Sequence, residues 1–93
     1  MRTIWKYHLP TDAISVIQMP VGAEVIHADV DDFNARDSLV VWAAVDDKAP
    51  TEDRMFAVCA TGEGLPQLPT RYVATCRMCH GVVAHVFEVA ESI

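Results

Sequence analysis

Hydrophobic and polar residues alternate in several short stretches of this 93-residue chain. In residues 3–9 the odd positions would share one face of a strand and the even positions the other. A period of two, with aromatic and β-branched residues, predicts a β-strand. Comparable stretches, bounded by Pro, Gly, Asp and Asn, follow at residues 14–19, 23–30, 38–45, 54–61, 71–79 and 82–89. Helical periodicity is weak throughout, so the pattern predicts seven short strands.

The segments between these stretches indicate how the strands connect. Met19-Pro20-Val21-Gly22 predicts a turn in which the glycine supplies a positive φ. Residues 38–45 alternate little, which is typical of a strand covered on both faces, and we therefore expect Trp42 to be buried. Residues 46–53 are polar and rich in turn formers. Residues 54–61 are therefore expected to return beside the preceding strand as a hairpin.

Strands of this number and spacing favour a small antiparallel sandwich or a partly open barrel of about six to seven strands. The length fits one domain, residues 1–93, and no linker divides it. The composition, 52% hydrophobic and 22% charged, is that of a globular protein with its own core. We therefore expect a mainly β fold that is stable without a metal or disulfides.

The balance of charge narrows the classes of partner. Thirteen acidic residues against seven Lys and Arg give a formal net charge of −6, and the basic residues form no cluster. Binding to nucleic acids and to anionic membranes draws on clustered Lys and Arg, so we expect neither partner. A protein partner with a basic surface fits this charge better.

No stretch of the sequence has the pattern of a signal peptide or a membrane span, and the longest apolar run covers residues 39–45. We therefore expect a cytoplasmic protein whose thiols stay reduced. The three cysteines are an odd number, which also argues against a disulfide framework.

Cys76-Arg77-Met78-Cys79-His80 has the C-x-x-C-H spacing that attaches c-type haem. Two thiols three residues apart on a strand point to opposite faces, so they would not hold one cofactor together. Haem attachment also normally follows export, of which the sequence gives no sign. We therefore expect no covalent haem, unless the strand is broken by a turn at Arg77-Met78.

Zinc is the better metal hypothesis. The chain offers Cys and His side chains of the kind that form tetrahedral zinc sites, and the candidates are Cys59, Cys76, Cys79, His80 and His85. A second pair of ligands at the usual spacing is missing, because Cys59 stands alone. We expect no cofactor, with zinc as the alternative.

Acidic segments predict an interaction surface. Asp31 and Asp32 precede Phe33 in one polar segment, and Asp46 and Asp47 begin another. Such carboxylates speed association with a basic partner, and an aromatic residue among them is a suitable anchor. No nucleophile, base and acid occur at a recognisable spacing. We therefore expect a protein that is not an enzyme.

Six segments, in order along the chain, resemble one known family. They are Thr3-Ile4-Trp5-Lys6-Tyr7, Ile17-Gln18-Met19-Pro20-Val21-Gly22-Ala23-Glu24, Trp42-Ala43-Ala44-Val45-Asp46, Ala49-Pro50-Thr51-Glu52, Thr61-Gly62 and His85-Val86-Phe87-Glu88. By these blocks the chain is similar to a family of small uncharacterised proteins found mostly in bacteriophages and prophages. The resemblance implies a compact β-rich domain in a phage setting, hence the host cytoplasm, and it assigns no catalytic residue.

The leading hypothesis from the sequence is a small, non-enzymatic, phage-type protein that binds a host or phage protein. Binding would use acidic and edge-strand surface, and the chain would self-associate. The alternative is a small protein that binds zinc or a small molecule through the Cys and His residues near positions 76–85.

Overall fold

The computed structural model describes residues 1–31 and 38–90. These residues form seven strands and one 3-10 turn: β1 (Arg2–Leu9), β2 (Ser15–Pro20), β3 (Glu24–Val30), β4 (Leu39–Asp46), β5 (Thr51–Ala60), β6 (Thr70–Arg77), the turn (Cys79–Gly81) and β7 (Val83–Val89). The prediction of a mainly β fold with seven strands is confirmed. Most boundaries agree with the predicted ones within two residues. The largest difference is at β5, which begins three residues earlier, inside the polar segment 46–53.

The strands form two antiparallel sheets that share one core, so of the two predicted architectures, sandwich and partly open barrel, the chain forms the sandwich. Their orders are β1-β4-β3 (sheet A) and β2-β5-β7-β6 (sheet B). The predicted hairpin between residues 38–45 and 54–61 is wrong, because β4 is the centre of sheet A and β5 lies inside sheet B. In the short connection between them, Lys48 N donates to the carboxylate of Asp46 at 3.1 Å. This connection turns the chain from one layer to the other.

Side chains from both sheets form one hydrophobic core. The largest fully buried ones are Leu9, Leu39, Val41 and Val45 from sheet A, and Met19, Phe56, Cys76 and Val86 from sheet B. Complete burial of a large apolar side chain contributes about 1.5–3 kcal/mol. Because alternate residues of a strand point to opposite sides, each sheet also has a face that is turned away from this core.

Trp42 lies on the outer side of β4, so the prediction that it is buried in the core is wrong. The core side of β4 consists of Leu39, Val41, Ala43 and Val45. Trp42 is out of phase with these residues and is only partly buried. Sheet B covers β4 on one face, whereas Trp42 lies at an outer surface of the sandwich.

A β-bulge in β3 explains why its predicted alternation is imperfect. The register against β4 shifts between Val25 and His27, and the extra residue, Ile26, is 50% exposed. The shift places His27 opposite Trp42 on the outer side and returns Ala28 to the core. One additional residue thus changes which side chains of the strand face outward.

A second bulge shifts the register of β6 between Tyr72 and Ala74. Tyr72 is 58% exposed, and its ring packs edge-on against Phe87 on the outer face of sheet B. Ala74 and Cys76 belong to the core. The alternation of residues 71–79, which would place Tyr72 on the same side as Cys76, fails because of this bulge.

Two turns end strands that carry candidate residues. Gly22 has a φ of 81°, as predicted, and Ala23 N donates to Pro20 O at 3.0 Å to close the β2–β3 turn. β6 ends at Arg77, two residues before its predicted end, and the 3-10 turn follows. In that turn His80 has a φ of 62°, which is uncommon for a residue with a Cβ.

Within the described residues, no helix is long and apolar enough to cross a membrane.

Candidate functional site

The outer side of sheet A is an ordered array of side chains from three strands. Its middle row runs from Lys6 on β1 through Trp42 on β4 to His27 on β3, since both outer residues pair with Trp42. The neighbouring rows are Ile4, Ala44 and Glu24 on one side, and His8, Val40 and Asp29 on the other, with Arg2 opposite Asp46 at the end. We call this set of residues face A.

Trp42 and His27 stack at the centre of face A. Their ring centroids are 6.3 Å apart and their planes differ by 9°. His27 Nε2 also lies 4.0 Å from Asp29 Oδ2. Apolar surface surrounds the pair, because Ile4 is 60% exposed and Ile26 is 50% exposed. A large, rigid aromatic side chain that loses little rotamer freedom on binding is the usual anchor of a protein interface.

The charges on face A are separated by strand. β1 contributes the cationic side chains of Arg2 and Lys6, whereas β3 contributes the carboxylates of Glu24 and Asp29, with His27 between them. Arg2 Nη2 donates to Glu24 Oε1 at 3.4 Å across β4. An exposed ion pair of this kind contributes less than about 1 kcal/mol to stability. Face A thus has a basic border, an acidic border and an apolar centre.

Each sheet edge in the described part of the chain has a feature that hinders pairing with another strand. The edge strand β1 carries Lys6 in its middle, β3 and β6 each contain a bulge, and β2 is short and ends at Pro20. Lysine, bulges and proline are the means by which natural sheets prevent edge-to-edge association. The faces of the sheets are consequently better suited to binding than the edges.

The outer face of sheet B contains a histidine with hydrogen bonds at both ring nitrogens. His85 Nε2 lies 2.7 Å from Thr61 Oγ1, and His85 Nδ1 lies 3.2 Å from Thr75 Oγ1. The hydroxyl of Tyr72 is in turn 2.8 Å from Thr75 Oγ1. A neutral imidazole has one donor and one acceptor nitrogen, and a hydroxyl can serve either. The two threonines therefore hold the ring of His85 in place.

Cys59 lies directly opposite His85 in the β5–β7 ladder. It is 6% exposed, and its thiol donates to Gly64 O at 3.5 Å. A cavity of about 210 Å³ opens beside the two residues, and its other side chains include Thr61, Glu63, Leu65 and Phe87. This volume is below the roughly 300–1,000 Å³ of common ligand pockets, so the cavity fits only a small molecule.

Three of the zinc candidates lie away from this cavity. Cys76 is 1% exposed in the core, where its thiol donates to Ala28 O at 3.5 Å. Burial, with a smaller contribution from the charge of Asp29, raises the pKa of the Cys76 thiol to about 11. Cys79 and His80 lie in the 3-10 turn after β6. The thiol that is most deeply buried is therefore also the least able to bind a metal as thiolate.

The geometry of the C-x-x-C-H segment follows from where β6 ends. Met78 is still extended, with φ −93° and ψ 172°, and the turn begins only at Cys79. The break at Arg77-Met78 that a shared cofactor would need is thus not formed. Across residues 1–31 and 38–90, no three His, Cys, Asp or Glu side chains are grouped so that they could hold a metal ion. Of the five candidates, Cys59 and His85 are the two that distant parts of the chain bring together.

Only some residues of the acidic interface predicted from the sequence lie in the described part of the chain. Asp32 and Phe33 lie in residues 32–37, outside the described residues. Asp31 is 8% exposed and offers little surface for docking. Asp46 and Asp47 lie at the β4–β5 connection, where Asp47 Oδ1 is 3.1 Å from the terminal ammonium of Met1. Asp46 is 60% exposed and forms the end row of face A with Arg2.

Arg54 and Glu88 face the interior at one end of the sandwich. Arg54 Nε donates to Glu88 Oε2 at 2.5 Å, and Arg54 Nη1 donates to Ala23 O, just before β3, at 2.8 Å. The hydrogen bond that Arg54 donates to the Glu88 carboxylate raises the pKa of Arg54. The side chains are 16% and 13% exposed. This pair therefore ties sheet B to the chain that enters sheet A.

The centre of face A is not evident from the sequence pattern. The residues of β4 look uniformly apolar. The outward position of Trp42 becomes clear only when the odd-numbered and the even-numbered positions of the strand are considered separately. Leu39, Val41 and Val45 share one parity, whereas Trp42 shares the other with the charged Asp46. This shared even-numbered position with a charged residue is the feature of the sequence that indicates an outward Trp42. No such feature indicates that His27 points outward, because its direction depends on the bulge in β3.

Comparison with known proteins gives one family match. A family model described as a domain of unknown function, DUF7352, matches residues 1–93, the whole chain. A search of curated proteins gives no significant match, and a search of solved structures gives none either. The match agrees with the resemblance to an uncharacterised family, and the family description names no activity or ligand.

Proposed function

The chain belongs to the DUF7352 family of domains of unknown function, and we propose that it is a small non-enzymatic domain that binds a protein partner through face A. The observation that carries this proposal is the position of Trp42. It lies on the central strand of sheet A, turned away from the core, stacked on His27 and bordered by charged residues. An apolar anchor inside a polar rim is the usual anatomy of a protein interface.

The exposed apolar area supplies the free energy for binding. Trp42 is already partly buried in the free chain, so a partner would cover the part of its ring that is still exposed, and central interface anchors contribute about 2 kcal/mol or more. Ile4, at 60% exposure, extends the apolar surface next to Trp42. The core on the other side of β4 is already complete without these residues. Their position is therefore better explained by binding than by folding.

The net charge supports a basic partner for this function, and the family resemblance supports a role in phage biology. The net charge of −6 favours a partner with a basic surface, and exposed carboxylates such as Asp46 near face A would speed its approach. The similarity of the sequence blocks to bacteriophage and prophage proteins supports a phage accessory role in the host cytoplasm. The genes that neighbour this one test that setting: phage genes on both sides support it, and a stable position among housekeeping genes would contradict it.

A capture experiment with matched variants tests the binding function. The purified domain is immobilised as wild type, as Trp42→Glu and as Val16→Glu. Val16 is 55% exposed on β2, in the other sheet, and receives the same carboxylate. We expect proteins from the host lysate that are retained by the wild type and by Val16→Glu but not by Trp42→Glu, with all three folded by circular dichroism. Equal retention by all three would show that face A is not the binding surface.

A second candidate function is the binding of zinc or a small molecule in the cavity beside Cys59 and His85. The observation that favours it is the fixed imidazole of His85 at a cavity of about 210 Å³. Zinc would have to displace a threonine hydroxyl from a ring nitrogen. Native mass spectrometry and elemental analysis of tag-free protein test both ligands. A bound species that is lost in His85→Ala supports this function, and protein of the bare mass without metal contradicts it.

A further inference from the structure

We infer that β5 accepts an extended peptide segment of a basic partner along the part of its edge that β2 leaves uncovered. This site goes beyond the proposed function, because it lies in sheet B and shares no residue with face A. β5 is ten residues long and β2 is six. Their ladder ends where Ser15 pairs with Phe56. Residues 57–60 therefore have β7 on one side and no strand of the described chain on the other.

This gap beside β5 follows from the path of the chain. β1 ends at Leu9 in sheet A, and β2 begins at Ser15 in sheet B. Residues 10–14 cross from one sheet to the other and are not part of a strand. If β2 continued in register, Ala13 would pair with Val58, but the crossing carries the chain away before that point.

The gap exposes main-chain hydrogen-bonding groups of Val58. Along an antiparallel strand, the N–H and C=O groups of successive residues point alternately to the two sides. Ala60 is closed locally on the uncovered side, since Ala60 N donates to Glu63 Oε1 at 2.7 Å and Ala60 O accepts from Glu63 N at 3.0 Å. Val58, two residues earlier, points to the same side. Within residues 1–31 and 38–90, no backbone group is hydrogen-bonded to Val58 there.

An open cavity of about 380 Å³ gives access to these groups. It is lined by Thr11, Ala13, Val58, Cys59, Glu63 and Gly64. Its volume is within the roughly 300–1,000 Å³ of common ligand pockets, unlike the smaller cavity beside His85. A peptide strand placed in it pairs one residue with Val58 through two main-chain hydrogen bonds, which is how extended segments add to the edge of a sheet.

The surroundings of the cavity define the side chains of this peptide. The residue opposite Val58 points to the same side of the sheet as Val58, which belongs to the core, so this residue should be apolar. Its two neighbours point outward, as Cys59 does, near the exposed carboxylate of Glu63. Asp12 is also exposed, and none of the described residues that line the cavity is Lys or Arg. Lysine or arginine beside the apolar residue therefore complements the site.

Titration of isotope-labelled protein with two capped pentapeptides, followed by NMR, tests the inference. The first peptide has a central valine between two lysines. The second differs only in an N-methyl group on that valine, which removes the N–H that Val58 O would accept. We expect the first to bind with a dissociation constant of roughly 0.1–1 mM and to slow amide hydrogen exchange at Val58. The second should bind at least about tenfold more weakly.

Two protein variants test the preference for a basic peptide. Glu63→Gln keeps an acceptor oxygen for Ala60 N and removes the charge, so it should raise the dissociation constant about threefold. Asp53→Asn is the matched control, because it removes the same charge where β5 is covered by β2. It should leave the constant unchanged. Equal effects of the two variants would overturn the assignment of a basic peptide to this site.

Three outcomes would overturn the site itself. Equal binding of the two peptides would mean that the contact does not use the main chain of Val58. Amide exchange at Val58 as slow as at Cys59 in the free protein would mean that this edge is already closed. The third outcome is no binding of the first peptide at about 5 mM, above the expected dissociation constant. None of these measurements involves face A, so the proposed function is tested separately.

Discussion

Arg54 of β5 and Glu88 of β7 form an ion pair on the core side of sheet B, with only 16% and 13% of their side chains exposed. Arg54 also donates to Ala23 O, and the carboxylate of Glu88 lies 3.7 Å from the exposed Arg71 on β6. The pair therefore links three strands of sheet B to the chain that enters sheet A. Removing one partner of such a pair leaves a charge that is poorly solvated.

Glu88→Gln is expected to lower the free energy of unfolding by about 2 kcal/mol, because the guanidinium of Arg54 loses its nearer charged acceptor and keeps Glu52, at 3.7 Å, as its other carboxylate partner. Urea unfolding at pH 7 measures this change. Asp53→Asn is the matched control: Asp53 accepts a hydrogen bond from Gln18 Nε2 at 3.1 Å on an exposed surface. Its effect should be under about 0.5 kcal/mol. Equal effects of the two variants would mean that solvent screens the Arg54 pair.

Trp42→Ala is expected to cost about 1–2 kcal/mol of unfolding free energy, less than a core truncation, since the side chain is partly buried on the outer side of β4, where it stacks on His27. Phe56→Ala, at a position with 0% exposure, should cost about 3–5 kcal/mol through lost transfer energy and a cavity. Thermal and urea unfolding of both variants provide the comparison. A cost for Trp42→Ala as large as that for Phe56→Ala would place Trp42 in the core after all.

Cys76 is expected to make stability fall between about pH 9 and pH 11. Burial raises the pKa of its thiol from 9.0 to about 11 in the folded state. In this window the unfolded state has released the proton that the folded state keeps, so the unfolding free energy decreases as pH rises. The full loss is about 2–3 kcal/mol, and it is absent below pH 9. Urea unfolding at pH 8, 9, 10 and 11 measures this loss.

Cys76→Ala is the control for the pH dependence of stability. This variant is less stable at pH 8 because it leaves a small cavity, but its curve should lack the additional fall above pH 9. The same burial predicts that iodoacetamide at pH 8 modifies Cys79 and leaves Cys76 unmodified until denaturant is added. Peptide mapping resolves the three cysteines, and rapid native modification of Cys76 would contradict its placement.

Tyr7→Phe is expected to stabilise the protein by about 1 kcal/mol. The hydroxyl of Tyr7 is buried without a hydrogen-bond partner among the described residues, and burial raises its pKa. Removing an unsatisfied polar group and keeping the ring eliminates a desolvation cost. A higher urea midpoint with an unchanged denaturant slope measures the gain, and a lower midpoint would indicate that the hydroxyl has a bound water.

The strands were predictable from the sequence, whereas their partners were not. Local alternation marks residues 3–9 or 82–89 as strands, since the side-chain period of two is a property of each strand alone. Pairing is not local. Residues 38–45 and 54–61 are separated by a short polar segment, which usually indicates a hairpin. Here the connection crosses between layers, and nothing in its residues distinguishes the two outcomes.

The candidate site was predictable only in part for a related reason. Cys59 and His85 were candidates by residue type, but their direct opposition depends on β5 pairing with β7. The outward positions of His27 and Tyr72 depend on one extra residue in β3 and in β6. A bulge reverses the direction of side chains without changing composition or hydrophobicity. Pattern analysis therefore locates strands better than it locates their faces.

The strand order also determines how the chain reaches this structure. Among the seven described strands, β3–β4 and β6–β7 are the sequence-adjacent pairs, while β1, β2 and β5 join partners farther along the chain. Long-range pairing slows folding, so we expect milliseconds to seconds. The two local pairs pack together through β3 and β6 and should form first.

In stopped-flow measurements, Val41→Ala would then slow folding, and Ile17→Val would mainly speed unfolding. Until β1 and β2 dock, β4 and β5 have unpaired edges, so aggregation of the new chain depends on the speed of this last step.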